Sequence, residues 1–288
     1  MEKSPSGKRR RDRPGSPRAG GLDRLLELLL ALNAAAVYTF LYLPIAVLVL
    51  FSFSASRYAG VWGGFSLTWY IKLFRNTDIA QALGNSLLIA LATALLATLL
   101  GTLAALGLAR HADRRAARYE VALMLPILVP DIVQGISLLL FFVLVFRWLE
   151  GALGWEPSLG PWTVIIAHTA FAISYVAVIV RARLAGLSKT FEEAAMDLGA
   201  TQWQALTRIT LPLIRPAMLG GGLLSFTLSL DEFVITFFTT GPGTATLPIQ
   251  VWSMVKRGVT PEINALSALM LAMSILFVTL SILVQGRR

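Results

Sequence analysis

Three carboxylates, Asp131, Asp231 and Glu232, lie in long apolar stretches that hold no Lys or Arg apart from Arg215 near the start of one. A charge at the centre of a membrane-spanning helix costs roughly 2.5–3.5 kcal/mol on an insertion scale, so three unpaired acids would cost about 8–10 kcal/mol. The offset must come from a partner chain, a proton or a transported cation, and intramembrane acids of this kind mark cation pathways. Neighbours on a helix point about 100° apart. Asp231 and Glu232 are therefore expected to divide the work, one lining a pathway and the other facing a partner helix. Asp131 follows Pro126 and Pro130, and two roles stay open for it: a pathway acid, or an acceptor for backbone groups that the prolines free. Trp252, Tyr175, Phe233 and Phe237 could present aromatic faces to an ammonium group or serve as ordinary packing.

A second group of residues points to docking rather than binding. Residues 184–211 are too polar to span a membrane and read as two short helices joined by a turn. Thr190 with Glu193 and Thr201 with Gln204 have the spacing of capping boxes, and Gly199 between them suits a left-handed helix end. Phe191, Ala194, Ala195, Leu198 and Trp203 give this hairpin an apolar face on a surface that meets water, which a partner should cover.

The elements that must carry these residues follow from composition. The chain has 288 residues, 56% hydrophobic and only 14% charged, with mean hydropathy +0.70. A soluble chain carries about 25% charged residues. Apolar runs at 28–53, 80–109, 121–146, 161–180 and 263–284 are each long enough to cross a bilayer. A sixth, 213–238, is uncharged from Pro216 to Leu230 and is interrupted by Asp231 and Glu232. The fold class expected is all-α, with six transmembrane helices. Both termini then share one side, which holds 19 of the 25 basic residues, and the positive-inside rule makes it the cytoplasm. The domains expected are a disordered basic cytoplasmic tail over 1–24 and a permease domain over 25–288 that contains the 184–211 loop. The tail is read as setting orientation, with no nucleic acid as partner.

Several functions are excluded or reduced to packing. No Cys is present, which removes disulfide frameworks and thiol nucleophiles. No Walker A, nucleophile-elbow or zinc-protease pattern occurs, so the chain is not expected to be an enzyme or to hold nucleotide itself. His168 stands alone in the fourth run, without a second ligand at metal spacing. The stretch Gly220-Gly221-Gly222 reads equally as a hinge or as close helix packing.

The hairpin also carries a resemblance. Glu193-Ala194-Ala195, three residues, Gly199, nine residues, Ile209, one residue and Leu211-Pro212 are similar at every motif position to the EAA loop of ABC importer permeases. The resemblance implies a type I importer permease fold in the bacterial inner membrane. It implies that Glu193, Ala194, Ala195, Leu198 and Gly199 form the coupling surface for a cytoplasmic ATPase subunit. Two such subunits, which carry the ATP and Mg, a second homologous permease and an extracytoplasmic substrate-binding protein are the implied partners, with lipid around the helices and no cofactor on this chain. Ser229-Leu230-Asp231-Glu232, Gly241-Pro242-Gly243, Met254-Val255-Lys256 and the run from Gly258 through Val259 and Thr260 to Leu266 further resemble spermidine/putrescine importer permeases. That resemblance makes polyamine the expected cargo, with Asp131, Asp231, Glu232 and Trp252 on its pathway. Ferric ion, thiamine or a phosphonate as cargo, and a proton-coupled secondary transporter, remain as alternatives.

Overall fold

The computed structural model describes residues 21–58, 60–110, 114–188, 190–258 and 260–285. The basic tail before residue 21 and Val259 of the C-terminal motif lie outside the described residues. Among the described residues the regular structure is helical apart from an isolated bridge between Ser54 and Phe65. The helices are α1 (Gly21–Phe51), α2 (Thr68–Arg75), α3 (Thr77–Arg110), α4 (Arg114–Leu128), α5 (Asp131–Leu153), α6 (Pro161–Ala185), α7 (Thr190–Asp197), α8 (Gln202–Ala205), α9 (Leu211–Asp231), α10 (Val234–Thr239), α11 (Leu247–Arg257) and α12 (Pro261–Gln285).

Among the described residues, five helical stretches are long and apolar enough to cross a membrane: α1 from Asp23, α3, α5, α6 and the run Gln202–Asp231. In α12 the described apolar stretch, Pro261–Ile275, is shorter. The third span differs from its expected position. Pro130 ends the helical path, α4 stops at Leu128, and the spanning helix is α5, which begins at Asp131. Proline lacks the N–H that an unbroken helix needs and clashes with the preceding turn. α4 leans on α6 instead, where Glu120 and Arg181 form an ion pair of 2.5 Å. The hydrogen bond from Arg181 holds the exposed Glu120 carboxyl below its ordinary value.

α3, α6 and α9 form the centre of the bundle. Their backbones approach because small residues face one another. Val176 of α6 fits between Gly101 of α3 and Gly221 of α9: a Cβ added at Gly101 would lie 2.7 Å from Val176 Cβ and 2.9 Å from Ile173 O. A Cβ at Gly222 would lie 2.6 Å from Thr98 Oγ1, whereas one at Gly220 would meet nothing within 4 Å. Close packing thus accounts for two of the three consecutive glycines. A second apolar cluster joins α2, the start of α3, α11 and α12 through Leu73, Ile79, Leu247, Met254, Ile263 and Leu266. α1 stands apart. It meets α12, and its apolar side chains stay exposed along its length, Phe40 at 80%.

Gly101→Val should overpack this centre and destabilise it by about 1–3 kcal/mol. Gly220→Ala should raise stability by up to about 1 kcal/mol through helix propensity. Thermal unfolding of the detergent-solubilised chain measures both, and equal effects at the two sites would contradict the packing described.

Candidate functional site

All three acids sit at or beside helix ends. α9 ends at Asp231, Glu232 takes an extended conformation (φ −69°, ψ 115°), and α10 resumes at Val234. The Ile235 N–H donates to Glu232 Oε1 (2.9 Å), so this carboxylate satisfies a backbone group that the break leaves free at the start of α10. Asp231 remains exposed and borders a cavity of about 130 Å³ whose other walls include Leu83, Leu230, Leu247, Leu266 and Met270. Its carboxylate stands at a helix C-terminus, where the helix dipole disfavours negative charge and raises the value of a nearby cation. Asp131 occupies the first turn of α5, where the dipole favours it. The cost assigned to three acids at helix centres is thereby reduced for Asp131 and Glu232 and concentrated on Asp231.

The prolines' freed carbonyls are served by Gln134. Its Nε2 donates to Pro126 O (2.7 Å) and to Val129 O (2.9 Å). The Asp131 side chain is left exposed. The two breaks adjoin because α5 packs on α10: a Cβ at Gly135 would lie 2.7 Å from the Phe238 ring.

Trp252 of α11 meets the same region. Its ring lies 5.6 Å from that of Phe233 and 5.5 Å from that of Phe237, and Lys256 Nζ sits 3.7 Å from its centroid. The Trp252 face therefore accepts an ammonium group in this structure, at a distance typical of cation–π contact. Tyr175 is separate and packs against Phe171. His168, expected as isolated packing, bonds Ser229 Oγ through Nδ1 (2.7 Å) and Thr236 Oγ1 through Nε2 (2.9 Å), on opposite sides of the break. A lone polar side chain within a span was the signal for it; its partners, 61 and 68 residues away, had no local signature.

The 184–211 hairpin turns at a defined corner. Gly199 is left-handed at φ +89°, with Gly199 N–H donating to Met196 O (2.9 Å) and Ala200 N–H to Ala195 O (3.0 Å). That bond pair is a Schellman ending. Thr201 and Gln204 make both halves of their capping box (2.9 and 3.3 Å). At α7 the capping hydroxyl belongs to Ser188, which accepts from Thr190 N–H (3.2 Å), instead of to Thr190. Glu193, Ala194, Leu198 and Gly199 are exposed and Ala195 is half-buried, with Leu198 at 89% and Trp203 at 71%. Beneath them a cleft of about 470 Å³ separates the hairpin from the ends of α3 and α6. α8 does not end the hairpin. It passes through a π-helical turn, Leu206–Thr210, straight into α9, so one helical run extends from Gln202 to Asp231.

Gln134→Leu should leave the Pro126 and Val129 carbonyls unbonded and cost about 1–3 kcal/mol. Asp131→Asn, which touches neither bond, should leave the unfolding midpoint nearly unchanged. Thermal unfolding of the two purified variants tests this difference.

Residues 119–287 match the family described as binding-protein-dependent transport system inner membrane component. The chain is 46% identical to the putrescine transport system permease protein PotI of Escherichia coli K12, over 81% of this chain and 82% of that one. It is 42% identical to the spermidine/putrescine transport system permease protein PotC of Haemophilus influenzae, over 87% and 94%. In structure it resembles a bacterial ABC transporter involved in import of the acidic polysaccharide alginate, with TM-score 0.76 at 18% identity over 93% and 96% of the two chains. At that identity the likeness establishes the fold alone. The long match across the hairpin, the broken span and the final helices places the chain in the binding-protein-dependent transport family, as one of its multi-pass inner membrane components.

Proposed function

We propose that this chain is one of two permeases in an ATP-driven importer that takes polyamines from an extracytoplasmic binding protein. The observation that carries the cargo is Asp231, exposed at the end of α9 on the border of an apolar cavity, next in the chain to Glu232 and to Phe233, whose ring meets that of Trp252. A polyamine presents ammonium groups separated by methylenes. Carboxylates and aromatic faces take the ammonium groups, and the apolar wall of the neighbouring cavity takes the methylenes. Lys256 seated on Trp252 is a protein ammonium in the kind of contact that the substrate would make. The names of the relatives, putrescine and spermidine/putrescine permeases, support the same cargo.

The partners follow from surfaces left uncovered. The apolar residues of the hairpin, Phe191, Leu198 and Trp203, fit a groove on an ATPase subunit. Glu193, Ala194, Ala195 and Gly199 shape that contact, and ATP with Mg would be bound and hydrolysed there rather than on this chain. The exposed length of α1 fits a second permease or lipid. A related alginate transporter is described in complex with a periplasmic protein carrying its substrate, which supports a binding protein as the donor. Closure of the ATPases would pull the hairpin, and the continuous run from Gln202 to Asp231 would carry that movement about 45 Å along its axis to the acids.

ATP-dependent uptake of labelled putrescine and spermidine by the assembled complex tests this reading. Asp231→Asn should lower uptake about 10-fold or more, the loss of one charge-assisted contact. Glu232→Gln retains an acceptor for Ile235 N–H and should assemble normally while weakening uptake. Gly199→Asp, strained at positive φ, should abolish ATP-coupled uptake without preventing insertion. Uptake that ignores Asp231→Asn, or that proceeds without ATP, would rule the proposal out.

A further inference from the structure

We infer that His168 is a positioning residue, locking the elbow between α9 and α10 so that Asp231 and Glu232 hold a fixed relation. The inference rests on the reading of these two acids as substrate-facing groups. His168 is fully buried on α6, and its two nitrogens bond Ser229, two residues before Asp231, and Thr236, four residues after Glu232. The Thr236 hydroxyl also donates to Glu232 O (2.9 Å). A hydroxyl has one proton, so toward His168 Thr236 can only accept. The imidazole N–H therefore lies on Nε2, and Nδ1 accepts from the Ser229 hydroxyl. The result is a directed chain, Ser229 to His168 to Thr236 to the Glu232 carbonyl, that crosses the helix break from one side to the other.

Both bonds of His168 are buried and the Thr236 bond to Glu232 O is partly so, and swinging α10 against α9 would leave the ring and its two hydroxyl partners with no water to turn to. The far end of α10 is held to the same helix: Thr163 Oγ1 on α6 lies 2.6 Å from Thr239 O. The Glu232 carboxylate, tied to Ile235 N–H, is thus indexed to α6, as is Asp231 through Ser229. No metal explains the ring, because its partners are hydroxyls and no cluster of three ligating side chains occurs among the described residues. An apolar residue of the same volume would fill the space without joining the two helices.

Three measurements test this. The chain has two His, so His111→Gln leaves His168 as the sole imidazole signal in nitrogen-15 magnetic resonance. A bare Nδ1 and a protonated Nε2 are expected, and the opposite tautomer would overturn the bond chain. The absence of Cys permits spin labels at Leu223→Cys on α9 and Phe237→Cys on α10. Their distance distribution should be narrow in otherwise unaltered protein and broadened or shifted by His168→Leu; an unchanged distribution refutes the positioning role whatever the cargo. In the assembled importer, His168→Leu should raise the KM for polyamine uptake about 10-fold per complex with Vmax little changed. Ser229→Ala should add nothing to it, and His168→Gln, which offers a donor and an acceptor, should recover part of the loss. A fall in assembled complex with unchanged KM would make His168 structural only. Failure of the unaltered complex to take up polyamine would sink the cargo reading alone, since the label distances would still decide the role of His168.

Discussion

Backbone that leaves the helix inside an apolar layer must find its hydrogen bonds within the protein, and the arrangement of this chain around its acids depends on that rule. Two interruptions fall close together, at Val129–Pro130 and at Glu232–Phe233. Gln134 answers the first and the Glu232 carboxylate the second. Gly135 lets α5 press against α10. A carboxylate with one oxygen occupied in capping keeps only the other for a passing ion, whereas one left at a helix C-terminus has both. Asp231 and Glu232, adjacent and identical in charge, thereby acquire different duties.

The rods that bury the core are also the ones that would carry the proposed coupling. α3, α6 and α9 touch through glycines and Val176, a surface suited to sliding as a unit rather than to bending within one helix. α9 is continuous with α8 and thus with the docking hairpin, while α10 is fastened to α6. The helix that would feel an ATPase and the helix that would hold the carboxylates in place belong to one packed layer. Membership of the binding-protein-dependent transport family accords with such a layout.

Features written locally were legible in the amino-acid order. The apolar runs located α1, α3, α6 and most of α9, Gly199 located the left-handed corner, and Thr201 with Gln204 located a helix start, since each depends on residues near one another in the chain. The acids were also conspicuous, being charges in apolar surroundings. Bonds between distant positions were not: nothing near His168 in the chain announces Ser229 and Thr236, and nothing near Pro126 singles out Gln134 over Asp131. Hydropathy also merged α4 with α5, because it counts apolar side chains and ignores the missing proline N–H. It likewise placed a boundary near Leu213 where the helix in fact runs on from Gln202.

The π-helical turn at Leu206–Thr210 has a geometric consequence. Leu211 N–H bonds back to Leu206 O, five residues earlier, where the ring of Pro212 would otherwise crowd the Arg208 carbonyl. One surplus residue in a turn rotates everything beyond it by about 100° relative to an uninterrupted helix. That turn therefore acts as a phase setting between the two ends of the rod: it decides which compass direction Asp231 faces for a given orientation of the hairpin. A chain one residue shorter there would keep every side chain named here and aim the carboxylate at a different neighbour.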